Sequence, residues 1–323
     1  MKRKISQIAV MTTGGDAPGM NAAIRAVVRT AIYHGLKVFG VERGYAGLIN
    51  GCFRPMDLRA VSGIINRGGT ILHTVRSPEF KTKSGQAKAV ANLKSRGIDA
   101  AVVIGGNGSL CGARALHNAG ILSMAIPATI DNDILGTDTT IGFDTAVNTA
   151  MEAIDKIRDT GFSHERVFVV EVMGRESGFI ALEVGIASGA EMVLIPERVC
   201  SSGRICRELG LGRKRGKLSS IIVMAEGAGN PFKLAGHIRK HVGMEVRVSV
   251  IGHMQRGGTP TATSRLLAAR FGCASVEALV KGNTGKAVGI RNGSLVFNNL
   301  NAVAGKTKRI DLNDYRLIKF LER

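Results

Sequence analysis

The chain alternates short apolar runs with stretches of helical period. Residues 5–11, 36–41, 100–104 and 121–126 are nearly continuous apolar runs of strand length, the pattern of strands buried on both faces. Between them Ile24, Val27, Val28, Ala31 and Ile32 fall on one face of a helix over 22–34. Val147, Met151, Ile154 and Ile157 do the same over 142–160. Further helices are predicted over 58–66, 83–95, 105 to about 119, 173 to near 188, 201–211, 232–242 and 261–280. Further strands are predicted over 166–172, 192–195, 219–225, 245–250, 287–290 and 294–297, with a loop at 44–48 and a turn at 67–70. This repeated alternation predicts an α/β protein of mainly parallel sheets with helices on both faces. At 323 residues the length suits two domains. No short-period repeat or Pro/Ser-rich linker marks a boundary, so two domains would join through packed elements.

Composition narrows the class. With 45% hydrophobic residues, 42 glycines and no apolar stretch long enough to cross a bilayer, the chain reads as soluble and globular, with no membrane partner. Its basic start, Met1-Lys-Arg-Lys, is followed by polar residues and Gly14-Gly15-Asp16, unlike a signal peptide. Cys52, Cys111, Cys200, Cys206 and Cys273 are odd in number and lack metal-ligand spacing, as expected of reduced thiols in the cytoplasm. The formal charge of +19 attracts polyanions, including phosphorylated metabolites. Only 4% of residues are aromatic, which argues against a base-stacking surface and specific nucleic-acid binding.

Candidate chemistry gathers at strand-to-helix loops. Pro127-Ala-Thr-Ile-Asp131-Asn-Asp133 follows an apolar run, so Asp131 and Asp133 lie where strand ends of an α/β sheet present ligands. Two acids two apart, beside Thr129, suit a base next to a metal or phosphate site, or simply an Asx-rich turn. Gly14-Gly15-Asp16, Gly105-Gly106-Asn107-Gly108-Ser109 and Met173-Gly174-Arg175 are glycine-rich loops ahead of predicted helices. Such loops let backbone N–H groups approach an anion, and the helix N-terminus adds partial positive charge. None is a P-loop or a dinucleotide fingerprint. Arg76, Arg166, Arg175, Arg247 and Arg256 recur at loop and strand ends, where guanidinium forks can hold phosphate.

These segments together resemble the bacterial-type ATP-dependent 6-phosphofructokinases over essentially the whole chain. The motifs are Gly14-Gly-Asp-Ala-Pro-Gly-Met-Asn21, Asn66-Arg-Gly-Gly69, Gly105-Gly-Asn-Gly-Ser109, Thr129-Ile-Asp-Asn-Asp133, Thr139-Thr-Ile-Gly142, Val172-Met-Gly-Arg175 and Gly252-His-Met-Gln-Arg-Gly-Gly258. The resemblance implies two similar three-layer α/β/α domains with the active site in the cleft between them. Residues 1–142 with about 255–305 would bind nucleotide, and 143–254 with about 306–323 would bind sugar phosphate. It implies MgATP-dependent phosphorylation of fructose 6-phosphate at its 1-hydroxyl, and a homotetramer.

Roles follow position by position from the resemblance. Asp131 would be the base, with Thr129 beside it and Asp133 near magnesium. Arg175 and the Gly15 backbone would steady the transferring phosphoryl group. Tyr45, Arg76, Gly106, Asn107, Gly108 and Ser109 would line the nucleotide site. Met173, Gly174, Glu226 and His253 would hold the sugar and Arg256 its phosphate, with Arg166 and Arg247 reaching it from a neighbouring subunit. Arg25, Arg29, Arg158, Gly189, Glu191, Arg215 and Lys217 would form an effector site for ADP or phosphoenolpyruvate.

Four positions depart from the family pattern. Asn107 stands where an aspartate usually serves the magnesium, which predicts a higher magnesium requirement. Leu58 replaces an effector-site arginine, which predicts altered effector control. Ser77 replaces an aromatic residue near the adenine, and Ala128 the usual glycine. Small residues at Gly108 and Ala128 match the ATP-using branch. The alternatives are a pyrophosphate-dependent or altered-sugar relative, and a catalytically weakened regulatory or polyanion-binding paralogue.

Overall fold

The computed structural model describes residues 5–321; the basic segment 1–4 lies outside them. In chain order the first elements are β1 (Gln7–Thr13), α1 (Met20–Tyr33), β2 (Lys37–Val41), α2 (Gly44–Asn50), β3 (Phe53–Met56) and α3 (Lys83–Ser95). Then come β4 (Ala100–Gly105), α4 (Asn107–Asn118), β5 (Leu122–Thr129), β6 (Ile141–Gly142), α5 (Phe143–His164), β7 (Val167–Val172), α6 (Phe179–Ala187) and β8 (Met192–Leu194). The rest are α7 (Ser202–Lys214), β9 (Ser220–Ala225), α8 (Pro231–Val242), β10 (Val246–Val250), α9 (Ala262–Val280), β11 (Lys286–Arg291), β12 (Ser294–Asn299), α10 (Leu300–Val303) and α11 (Tyr315–Leu321).

The chain divides into two compact units, residues 5–145 with 256–308, and 146–255 with 309–321. In the first unit the strand order is β12-β11-β5-β4-β1-β2-β3, with β6 on β5. The inner pairs are parallel, and β3 and β12 are antiparallel edges. Chain direction across the sheet reverses at β1, with β2 on one side and β4 on the other. Loops leaving β1 and β4 therefore open a crevice at their C-terminal ends, where such sheets bind ligands. One face is covered by α2, α3, α4 and α10 around a core of Met11, Leu48, Leu93, Val103, Leu110 and Leu116. On the other, α1 packs against α9. Their backbones come close because Gly272 lacks a Cβ, which would lie 2.5 Å from that of Ala26.

The second unit holds the parallel sheet β10-β7-β9-β8. Ile205 and Leu209 of α7 and Leu234 and Ile238 of α8 pack onto Val169, Ile222 and Val246 of this sheet.

The structure corrects two sequence expectations. Residues 44–48 form a helix rather than a loop. Gly47 sits where a Cβ would be 1.7 Å from the Glu42 carbonyl, so here glycine permits the tight entry that its helix propensity argues against. Residues 58–66 are turns rather than a helix: Asp57 accepts a hydrogen bond from the Ala60 N–H at 2.7 Å, and Gly63 takes φ 66°. Pro55 lies in β3, which the apolar pattern did not predict, and is tolerated because β3 is an edge.

Candidate active site

Three helices of the first unit, α1, α2 and α4, start without a side-chain cap. Neither α1, entered through Gly19, nor α4, entered through Gly106, has a capping side chain or an acid in its first turn. By contrast Thr82, Ser201, Asn230, Thr261 and Asn299 cap α3, α7, α8, α9 and α10. The first N–H groups of an uncapped helix are left for water or an anion. At α4 they face a cavity of about 1070 Å³ at the C-terminal ends of β1, β4 and β5.

The carboxylates arrive on that cavity by alternation. From the end of β5 the burial pattern runs Ile130 in, Asp131 half-exposed, Asn132 in, Asp133 half-exposed, Ile134 in. Ile130 and Ile134 are each 1% exposed and anchor the segment, so both acids line the cavity. The segment is pinned from behind. Thr140 donates to the Thr129 carbonyl at 2.7 Å, Lys308 N–H to the Asp133 carbonyl at 2.8 Å, and Asn298 to the Gly136 carbonyl at 2.8 Å. Thr129 Oγ1 accepts from the Asp131 N–H at 3.2 Å and lies 3.4 Å from its carboxylate.

Gly15, expected at the nucleotide's transferring phosphoryl group, and the six residues expected along the rest of the nucleotide all line this cavity: Tyr45, Arg76, Gly106, Asn107, Gly108 and Ser109. Their roles differ. Ser109 is buried and donates its hydroxyl to the Thr13 carbonyl at 2.9 Å, tying α4 to the end of β1. Tyr45 is 6% exposed, stacks on Phe80 at 4.0 Å between centroids, and donates to the Ser109 carbonyl at 2.6 Å. Burial, then the nearby Cys111, raises its phenol well above the ordinary value, so it stays a neutral donor. Arg76, by contrast, is exposed and can fold onto a phosphate.

Arg256 also lines this cavity. Its guanidinium lies so close to Gly15 that a Cβ there would be 2.2 Å from Nη1, which reaches the Asp16 carbonyl at 3.4 Å. The arginine expected on the sugar phosphate thus lies, in this unit, against the first glycine loop. The sequence reading missed the cavity's inner lining, Phe80, Gln86, Arg114 and Asn118. Its signal was the run of small residues Gly108, Cys111, Gly112, Ala115 and Ala119 at helical spacing along α4.

The residues present fit a divalent cation. Asn107 Nδ2 donates to the Asp133 carboxylate at 3.4 Å, while Asn107 Oδ1 is buried with no hydrogen-bond partner. One carboxylate and one orphaned amide oxygen form a hard-oxygen pair. Among the described residues no group of three or more His, Cys, Asp or Glu could hold a metal. A magnesium ion here would complete its shell from phosphates and water, as is usual for that ion.

The residues expected at the sugar lie in the second unit, except Arg256, and leave the ends of three of its strands. Met173, Gly174 and Arg175 follow β7, Glu226 follows β9 and His253 follows β10. Gly174 takes φ 125° and Gly227 has no room for a Cβ, which would be 2.0 Å from the Arg175 carbonyl; this loop therefore requires glycine at both places. Gln255, unremarked in the sequence, is fully buried, accepts from the Met173 N–H at 2.7 Å and donates to the Ala146 carbonyl at 3.3 Å. Arg166 and Arg247 both pair with Glu245, at 2.7 and 2.5 Å. Hydrogen bonding from Arg166, more than the surrounding charges, holds the Glu245 carboxyl below its usual range. Burial, then the charge of Glu226, raises that of Glu171.

The expected effector residues fall in both units. Arg25 and Arg29 are on α1. In the second unit Arg158 donates to the Ser188 and Gly189 carbonyls at 2.6 and 3.1 Å, and Lys217 pairs with Glu191 at 3.2 Å. Glu191, Arg215 and Lys217 line a cavity of about 630 Å³, with Arg198 and Tyr315. No described helix is long and apolar enough to cross a membrane.

The sequence profile described as Phosphofructokinase matches residues 7–279. The ATP-dependent 6-phosphofructokinase of Halalkalibacterium halodurans is 53% identical over 313 residues, covering 97% of this chain and 98% of the relative. The enzyme of the same name from Bacillus subtilis is 51% identical over 317 residues, covering 98% and 99%. Among solved structures, Pichia pastoris phosphofructokinase in the T-state superposes with a TM-score of 0.89 at 33% identity, over 100% of this chain and 37% of that one.

Proposed function

The chain belongs to the phosphofructokinase family, and from that premise we propose how its own residues carry the reaction. That reaction is ATP-dependent phosphorylation of fructose 6-phosphate to fructose 1,6-bisphosphate, a kinase step of glycolysis. The supporting observation is the first unit's cavity. It sets Asp131 and Asp133 beside the uncapped start of α4, with Arg76 exposed at its wall.

The Asp131 carboxylate takes the proton from the sugar's C1 hydroxyl. That oxygen forms a bond to the γ-phosphorus as the bond to the bridging oxygen breaks, and ADP leaves. Thr129 fixes the Asp131 turn through the 3.2 Å bond to its N–H. The Gly15 backbone and Arg175 are assigned to the phosphoryl oxygens, where preorganised donors stabilise developing charge. Asp133 and Asn107 would hold magnesium, which when bound neutralises phosphate charge. Met173, Gly174, Glu226 and His253 are assigned to the sugar. Arg256, and Arg166 and Arg247 from a neighbouring subunit of a homotetramer, are assigned to its phosphate. ADP and phosphoenolpyruvate are the effectors we assign to Arg25, Arg29, Arg158, Gly189, Glu191, Arg215 and Lys217, in an enzyme we place in the cytoplasm.

The depth of the cavity favours ATP over pyrophosphate. The small residues along α4 open it past the phosphate end to Phe80 and Asn118, space that pyrophosphate would leave unfilled. Steady-state assays with each donor test this, and a preference for pyrophosphate would overturn it. Asp131→Ala should lower kcat on the order of a thousandfold with little change in KM for ATP. Wild-type turnover in that variant would refute the role of Asp131.

A further inference from the structure

The second unit carries a charge pattern that phosphoryl transfer does not use. Helices α7 and α8 pack together, with Ile205, Leu209, Leu234 and Ile238 turned into the core. Their ends are tied where Arg213 donates to the Val242 carbonyl at 3.4 Å. No exposed position on either helix is acidic; Glu208 is half-buried on the wall of the smaller cavity. Exposed helix faces ordinarily mix both signs.

The cations here fall in stripes. On α8, Lys233 and Lys240 recur at i and i+7, opposite the buried face, with Arg239 on the flank it shares with Phe232. On α7, Arg207 and Lys214 recur at i and i+7. At 1.5 Å per residue each stripe is about 10 Å long, and packed helices lie about 8–10 Å apart. A duplex presents about six phosphates over such a length, one per ~1.7 Å of axis. Phe232, the single exposed Phe, Tyr or Trp on these helices, lies off the stripe, which disfavours stacking of unpaired bases there. Exposed Asn and Gln, which read base edges, are absent from both helices.

We propose that this two-helix face binds double-stranded nucleic acid through its phosphates, without reading sequence. The cations hold backbone phosphates, and binding is electrostatic and sensitive to salt. It is independent of the catalytic reading, since none of these residues is placed at substrate.

The test is fluorescence anisotropy of a labelled 20-base-pair duplex titrated with the full-length protein under saturating ATP, which keeps the nucleotide cavity filled. Two unrelated sequences should bind equally, with dissociation constants of about 10⁻⁶–10⁻⁴ M near physiological salt. For about four phosphate contacts the slope of log K against log[salt] should be about −3.6. The triple variant Lys214→Gln, Lys233→Gln, Lys240→Gln should keep its circular dichroism spectrum and kinase kcat, lose more than tenfold in affinity and flatten the slope. Absence of saturable binding at low salt, or equal binding by the variant, would overturn the proposal. So would tighter binding of a single strand of equal charge. Phosphatidylserine vesicles that retain the protein against excess duplex would assign the face to a membrane instead.

Discussion

Aspartate at position 107 should make the protein less stable without metal and a tighter metal binder with it. In the structure Asn107 Nδ2 donates to Asp133 at 3.4 Å. The reversed amide would set oxygen against a carboxylate, so the donor orientation is favoured. Asn107→Asp replaces that donor by a second negative oxygen. Two unit charges 3.4 Å apart repel by about 5 kcal/mol at an effective dielectric near 20. Side-chain rotation and water would cut this to about 1–3 kcal/mol, or several degrees in Tm. The same charge ~5 Å from a divalent ion attracts it by several kcal/mol on the same scale. Scanning calorimetry with a chelator should therefore show a lower Tm for the variant. Free Mn²⁺ measured by electron paramagnetic resonance, with a non-hydrolysable ATP analogue present, should show at least about tenfold tighter metal binding, and half-maximal rate should need less magnesium. Asn107→Ala controls for loss of the hydrogen bond alone. An unchanged Mn²⁺ dissociation constant together with an unchanged metal-free Tm would refute the reasoning.

Other sites give further expectations. Gly15→Ala places a methyl 2.2 Å from Arg256 Nη1; the guanidinium must move, and kcat should fall roughly tenfold or more with Tm nearly unchanged, a result that an unaltered kcat would contradict. Gln255→Leu removes both the acceptor for the Met173 N–H and the donor to Ala146. KM for fructose 6-phosphate should rise more than KM for ATP, with partial rescue in Gln255→Glu, and equal effects on both would assign Gln255 to stability alone. Because burial and Glu226 raise the folded-state pKa of Glu171, its contribution is fully present below the unfolded carboxyl value and lost as pH rises through the folded one. Glu171→Gln should accordingly raise Tm at pH 7 more than at pH 4, and a gain confined to acid pH would contradict this.

Much of the fold and site was legible because local signals agree with tertiary ones. The apolar runs at β1, β4 and β5 are buried on both faces and read directly as strands. The Asp131–Asp133 spacing survives as a real alternation between core and cavity. What the sequence concealed depends on contacts far apart in the chain. Helix α2 exists because its glycines let the backbone fold tightly and Leu48 joins the core, which outweighs poor propensity. Gln255 is an ordinary polar residue until Met173 and Ala146 come within reach. Asn298, Lys308 and Thr140 carry no pattern of their own, yet together they hold the acid-bearing loop.

The missing cap of α4 has a consequence for how long the protein lasts. A cap contributes about 1 kcal/mol to a helix, and here that contribution comes only when an anion sits at Gly106–Ser109. The first turn of α4 should therefore fray more readily in ligand-free protein than with nucleotide bound, exchanging its amide hydrogens faster and offering proteases an opening. Nucleotide then acts as a chaperone for the fold it serves, and starvation for ATP would shorten the enzyme's half-life as well as slow its turnover.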